Sequence, residues 1–140
     1  MNPLLEARLK IKDIAALIPH RHPFLFVDGI IDFEQNLWIR GVKRIGAGDR
    51  FPSPSYALLI CESLAQLTKL LDALSGKPKE NLSYLTSLQI EFFKQVEMND
   101  EVHLFARQEK SHRKMCCYRV EAHIDGEKLL SGSLYRKQDA

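Results

Sequence analysis

Glu62, Gln66 and Lys69 recur at i, i+4 and i+7 along Tyr56 to Ser75, a stretch without Gly or Pro that is otherwise mostly apolar. On a helix that spacing makes one narrow polar stripe. A carboxylate set among apolar neighbours is expensive to desolvate unless it finds a partner. Glu62 therefore has two readings, a member of an ordinary Glu–Gln–Lys ladder or a group kept for proton transfer. The other residues able to move protons or act as nucleophiles are scattered. His20 and His22 lie in one loop, His112 in a charged turn, and His103 and His123 on the outward side of their strands. The plainer reading of each is an exposed or capping ring. Cys61, Cys116 and Cys117 are odd in number, and an adjacent pair is badly placed to bridge with itself, so small core residues are the expectation. No His or Cys pair has metal spacing apart from His20-x-His22, which is weak alone, so no metal site is assigned. No glycine loop suited to phosphate is present, and nothing calls for a cofactor. Asn81-Leu82-Ser83 fits a glycosylation pattern that has no meaning in a reducing compartment.

The elements that must position these residues follow from periodicity. Lys12 to Ile18 reads as a short amphipathic helix ended by Pro19. Phe24 to Ile31 reads as a strand, Asp32 to Asn36 as a polar turn, and Leu37, Ile39 and Val42 as a second strand. Gly46 to Ser55, with two glycines and two prolines, must be a loop. Tyr56 to Ser75 is a helix roughly 30 Å long, with Ser53 and Pro54 suited to its start and Gly76 to its end. Its apolar residues, Leu58 among them, nearly encircle it, which predicts burial. Leu88, Ile90 and Phe92, then Val102, Leu104 and Ala106, then Cys116 to Ile124 alternate as strands. Asp125-Gly126 turns the chain into a last strand from Leu130 to Arg136. One buried helix beside five to six antiparallel strands is satisfied only if the sheet curls around it, an α+β arrangement.

Length and composition agree. A chain of 140 residues is expected to form a single domain, its core spanning about residues 11–137. Net charge is +2, from 20 basic and 18 acidic residues, too balanced for a nucleic-acid binder. There is no signal-peptide pattern and no apolar run of membrane-spanning length, so a cytoplasmic protein without membrane attachment is expected.

Specific residues then point to a family. The segment Ile18 to Ile31, IPHRHPFLFVDGII, resembles the signature of the bacterial FabZ-type (3R)-hydroxyacyl-acyl-carrier-protein dehydratases, Pro-His-Arg-Tyr-Pro-Phe followed by an apolar pair and Val-Asp. Only His22 departs from the hexapeptide. CESLAQL at Cys61 to Leu67 resembles that family's Glu-x-x-Ala-Gln, Ile90 to Leu104 its later strand pair, and Asp125 to Glu127 its last hairpin. The resemblance implies a hotdog fold, with the sheet wrapped around the long helix. It further implies acyl thioesters on an acyl carrier protein as substrates, and a homodimer or a trimer of dimers.

Dehydration of a 3-hydroxyacyl thioester needs a base at the α-carbon, an acid at the β-hydroxyl and donors for the developing enolate oxygen. The resemblance makes Glu62 the acid and Gln66 a substrate-binding neighbour. Tyr56 and Ala57 then stand where backbone N–H groups at the helix start would polarise the thioester carbonyl. The family's loop base is a His in Gly-His-Phe-Pro. Here Phe51-Pro52 is kept, but Arg50 stands at the His position, and Tyr56-Ala57 replaces a Pro-Gly. Arginine stays protonated and cannot serve as that base. The usual dyad is incomplete, and His22 and Asp49 are the candidates to complete it. Three functions are in view: a divergent dehydratase in fatty-acid or polyketide-type synthesis, an acyl thioesterase using Glu62 alone, or an inactive acyl-binding subunit paired with an active paralogue. The cluster Lys110, His112, Arg113 and Lys114 is read as a solvated hairpin tip that could meet an acidic carrier protein.

Overall fold

The computed structural model describes residues 7–20, 24–46, 49, 56–77 and 83–138. In chain order these form β1 (Leu9–Lys10), α1 (Ile11–Leu17), β2 (Gly29–Glu34), β3 (Trp38–Arg44), α2 (Tyr56–Leu74), β4 (Ser83–Phe92), β5 (Glu101–His112), β6 (Met115–Ile124) and β7 (Glu127–Gln138). The strands make one sheet in the order β1-β2-β3-β5-β6-β7-β4. Every neighbouring pair is antiparallel. Six of the strands are the expected ones, and the seventh is the two-residue β1 on the edge beside β2.

Alternation does what the sequence predicts in the middle of the sheet. Val102, Leu104 and Ala106 of β5, and Cys116, Tyr118, Val120, Ala122 and Ile124 of β6, all point into the core. Against that face lies α2, with Leu59, Ile60, Leu64, Leu67, Leu70 and Leu71 buried in one cluster with the strand residues. Gly41 of β3 lets the two layers meet. A Cβ there would stand 2.9 Å from Leu67 Cδ1 and 3.0 Å from the Gly29 carbonyl oxygen. The helix ends as expected at Gly76, whose φ of +84° is natural to glycine. The Lys77 N–H donates back to the Asp72 carbonyl at 3.1 Å, which satisfies an orphan acceptor of the last turn.

Three expectations need correction. Phe24 to Asp28 is not strand; β2 begins at Gly29 and runs on through Asp32 to Glu34, so the turn is shorter than predicted and centres on Asn36 at φ +64°. The reason is a side chain on α2. The Gln66 amide accepts from the Phe26 N–H at 2.8 Å and donates to the Phe24 carbonyl at 2.8 Å. These backbone groups are satisfied by the helix instead of by a neighbouring strand. Leu58 is 66% exposed, so it shares an open stripe of α2 with Glu62 instead of joining the core.

Candidate active site

The open stripe of α2 faces a cleft of about 240 Å³. Its polar lining is His20, from the segment after α1, with Glu62, Gln66 and Lys69 of α2, Tyr84 of β4 and Arg136 of β7. Glu62 is exposed and its Oε1 lies 3.5 Å from the Gln66 amide nitrogen, a long contact. Gln66 lines the cleft but is buried, its amide engaged by two bonds to the 24–26 backbone. Arg136 is only 4% exposed and donates to the Ala65 carbonyl and the Thr68 hydroxyl, which fixes the floor of the cleft against α2.

The charges in this cleft act on one another. Burial pushes the His20 imidazole below its ordinary value, and the cations Lys69 and Arg136 push the same way, while Glu62 opposes them. Burial also lowers Lys69, with Arg136 adding to the effect and Glu62 again opposing. The result at neutral pH is a neutral imidazole in a cleft shared with the Glu62 side chain, Lys69 and Arg136. Cys61, next to Glu62 in sequence, is pushed up to about 11, mainly by burial, and so stays a thiol.

Of the residues singled out in the sequence, Glu62 and Gln66 meet here. Tyr56 is buried in the core cluster and Ala57 is half-buried, both in the first turn of α2. His22 and Arg50 lie outside the described residues, as do Ser53 and Pro54. Asp49 does not fit the role of base. Its carboxylate binds the Lys43 ammonium at 2.9 Å and accepts from the Gly46 N–H at 2.8 Å. Lys43, 5% exposed, also lies 3.7 Å from Asp28. This triad ties Gly46 and Asp49 to β3. His103 and His123 face each other across β5 and β6 on the outer side of the sheet, away from α2. Lys110, His112, Arg113 and Lys114 are all exposed at the hairpin tip.

Lys69 lines the cleft with Glu62 and Gln66, as the i, i+4, i+7 stripe suggested, but sequence reasoning missed His20 and Arg136 as members of the same site. Nothing in the spacing of His20 or Arg136 connects them to α2. It also missed a second cluster behind the cleft. The Tyr118 hydroxyl donates to Asp72 at 2.6 Å and Lys77 pairs with the same carboxylate at 3.1 Å. Burial and the Asp72 charge push the Tyr118 hydroxyl far up, so it remains a donor. Among the described residues no group of three or more His, Cys, Asp or Glu side chains is arranged to hold a metal ion. No helix among them is long and apolar enough to cross a membrane.

No family model matches the chain. Individual relatives do. The enzyme named 3-hydroxyacyl-acyl-carrier-protein dehydratase FabZ from Aliivibrio fischeri is 35% identical over 136 residues, which cover 90% of this chain and 91% of the relative. Its namesake from Vibrio campbellii is 33% identical over the same shares. Among solved structures, the dehydratase heterocomplex ApeI:P from Xenorhabdus doucetiae superposes with a TM-score of 0.69 at 10% identity, over 91% of each chain. A hypothetical thioesterase from Streptococcus pneumoniae, solved with coenzyme A, gives 0.68 at 12% identity, over 93% of this chain and 97% of that one. At such identities the structural likeness speaks for architecture alone, and that architecture is the hotdog fold.

Proposed function

The chain belongs to the family of FabZ 3-hydroxyacyl-acyl-carrier-protein dehydratases, and from that premise we propose that it dehydrates 3-hydroxyacyl thioesters carried on an acyl carrier protein, with Glu62 as proton donor. The observation that carries this reading is the placement of Glu62. It is an exposed carboxyl side chain on the open stripe of a helix whose other faces are buried, and it looks into the cleft that the His20 ring also lines. Backbone N–H groups of the first turn of α2, at Tyr56 and Ala57, polarise the thioester carbonyl. Gln66 serves by positioning, because its amide is committed to Phe24 and Phe26.

The working form is a homodimer joined at β4. That strand ends the sheet opposite β1 and carries Tyr84, Leu85, Leu88 and Phe92 exposed, with Phe93 following. An unpaired edge with such side chains is stabilised by a second copy. Purified protein incubated with a 3-hydroxyacyl thioester and, separately, with a simple acyl thioester tells dehydration from hydrolysis. Dehydration is expected, and Glu62→Gln is expected to lower it at least a hundredfold. Unchanged turnover in that variant would remove Glu62 from the reaction.

Arg50 favours a second reading, a subunit that works only with a paralogue carrying the loop His, as in the two-component assembly that the Xenorhabdus structure names. Pure protein that is silent alone and active only on mixing with such a paralogue would select it.

A further inference from the structure

The base that Arg50 cannot supply has a replacement within the same chain. We infer that His20 is the catalytic base that works with Glu62, so that acid and base come from one protomer's cleft. The inference rests on the dehydratase reading above. Its ground is geometric. His20 and Glu62 line the same cleft, and Gln66, one turn along α2 from Glu62, lines it as well while bonding to the Phe24 and Phe26 backbone. Among the described residues the alternatives are excluded by position. Asp49 is locked to Lys43 and the Gly46 N–H, and His103, His112 and His123 are on strands whose rings do not line this cleft. Lysine and arginine are the remaining basic groups there. Burial, with Lys69 and Arg136 adding to it, favours the neutral imidazole, the form a base requires, and Glu62 opposes them.

The step balances. A ring nitrogen of His20 takes a proton from the α-carbon, and the freed electron pair becomes the double bond to the β-carbon. The bond from the β-carbon to its hydroxyl oxygen breaks, its pair staying on oxygen, and the Glu62 carboxyl gives that oxygen its proton, releasing water. The proton on His20 then passes to the Glu62 carboxylate, which restores both groups. No oxidant, metal or cofactor enters.

Among the described residues, the charged and titratable groups that line the cleft with His20 are Glu62 and Lys69 from α2, Arg136 from β7 and Tyr84 from β4. The test combines turnover with titration. On a 3-hydroxyacyl N-acetylcysteamine thioester, His20→Asn is expected to lose at least a hundredfold in kcat, and the acid limb of the wild-type pH profile is expected to vanish from what remains. His103→Asn, outside the cleft, is expected to retain wild-type turnover. If His20→Asn fails to fold, the His20 ring titrated by NMR in wild type and in Glu62→Gln supplies the independent reading. Loss of the carboxylate removes the one contribution that raises the imidazole, so its midpoint is expected to move down. An active wild type with an equally active His20→Asn, or a His20 midpoint indifferent to Glu62→Gln, overturns the inference and leaves the dehydratase reading intact. A wild type inert toward the thioester overturns both.

Discussion

At the scale of single residues, the cleft and the Lys43–Asp49–Asp28 triad both carry a pH signature. His20 binds a proton less readily in the folded chain than in the unfolded one, chiefly because burial disfavours its charged form. Below the ordinary imidazole value of about 6.5 the unfolded chain therefore takes up a proton that the folded chain refuses. Stability is expected to fall as pH drops through that window and to level off once the folded imidazole also titrates. Denaturant midpoints across pH should show this slope in wild type and a flatter one in His20→Asn. The second case is the ion-pair cluster at Lys43. This lysine neutralises Asp49 and Asp28, and burial already raises the Asp28 carboxyl while Lys43 pulls it down. Lys43→Met leaves two carboxylates facing each other with little solvent, a loss of about 3 kcal/mol by analogy with broken buried pairs. That deficit should be largest at neutral pH and shrink on acidification, because protonation removes the repelling charges; urea melts at both pH values check it.

At the scale of elements, the contact between α2 and β3 runs through Gly41. Gly41→Val pushes a branched side chain against Leu67 and the Gly29 carbonyl, so a loss of about 1–3 kcal/mol is expected from overpacking, measured by thermal or urea unfolding. What was legible in the sequence follows the same lines. Strands whose two faces differ, such as β5 and β6, announce themselves by alternation, and a helix without Gly or Pro announces itself by length. Phe24 to Asp28 was misread as strand because its residues suit a strand, while the partner for its backbone is the side chain of Gln66, about forty residues on. Local pattern holds no trace of such a pairing. Glu62 was legible because a carboxylate among apolar residues breaks a pattern. His20 and Arg136 break none, and only the folding of three elements around α2 brings them to Glu62.

At the scale of the whole molecule, the two edges of the sheet are unequal. One is the two-residue β1, which leaves little to pair with. The other is the ten-residue β4, whose outward side chains include exposed tyrosine, leucine and phenylalanine. Leu88→Lys places a charge on that edge and is expected to convert the proposed β4-joined dimer to monomer without unfolding it, as read by sedimentation or light scattering. A dimer that survives this change and a second lysine at Leu85 would place the interface elsewhere.

The Gln66 amide addresses main-chain atoms at Phe24 and Phe26, never their rings. Phe24, 65% exposed, is thus at liberty to drift through evolution while the fastening endures. Position 66 has no such latitude. Even glutamate, its nearest isostere, can accept but lacks the hydrogens to donate, and would keep one half of the fastening only. Descendants of this protein should vary at 24 long before they vary at 66.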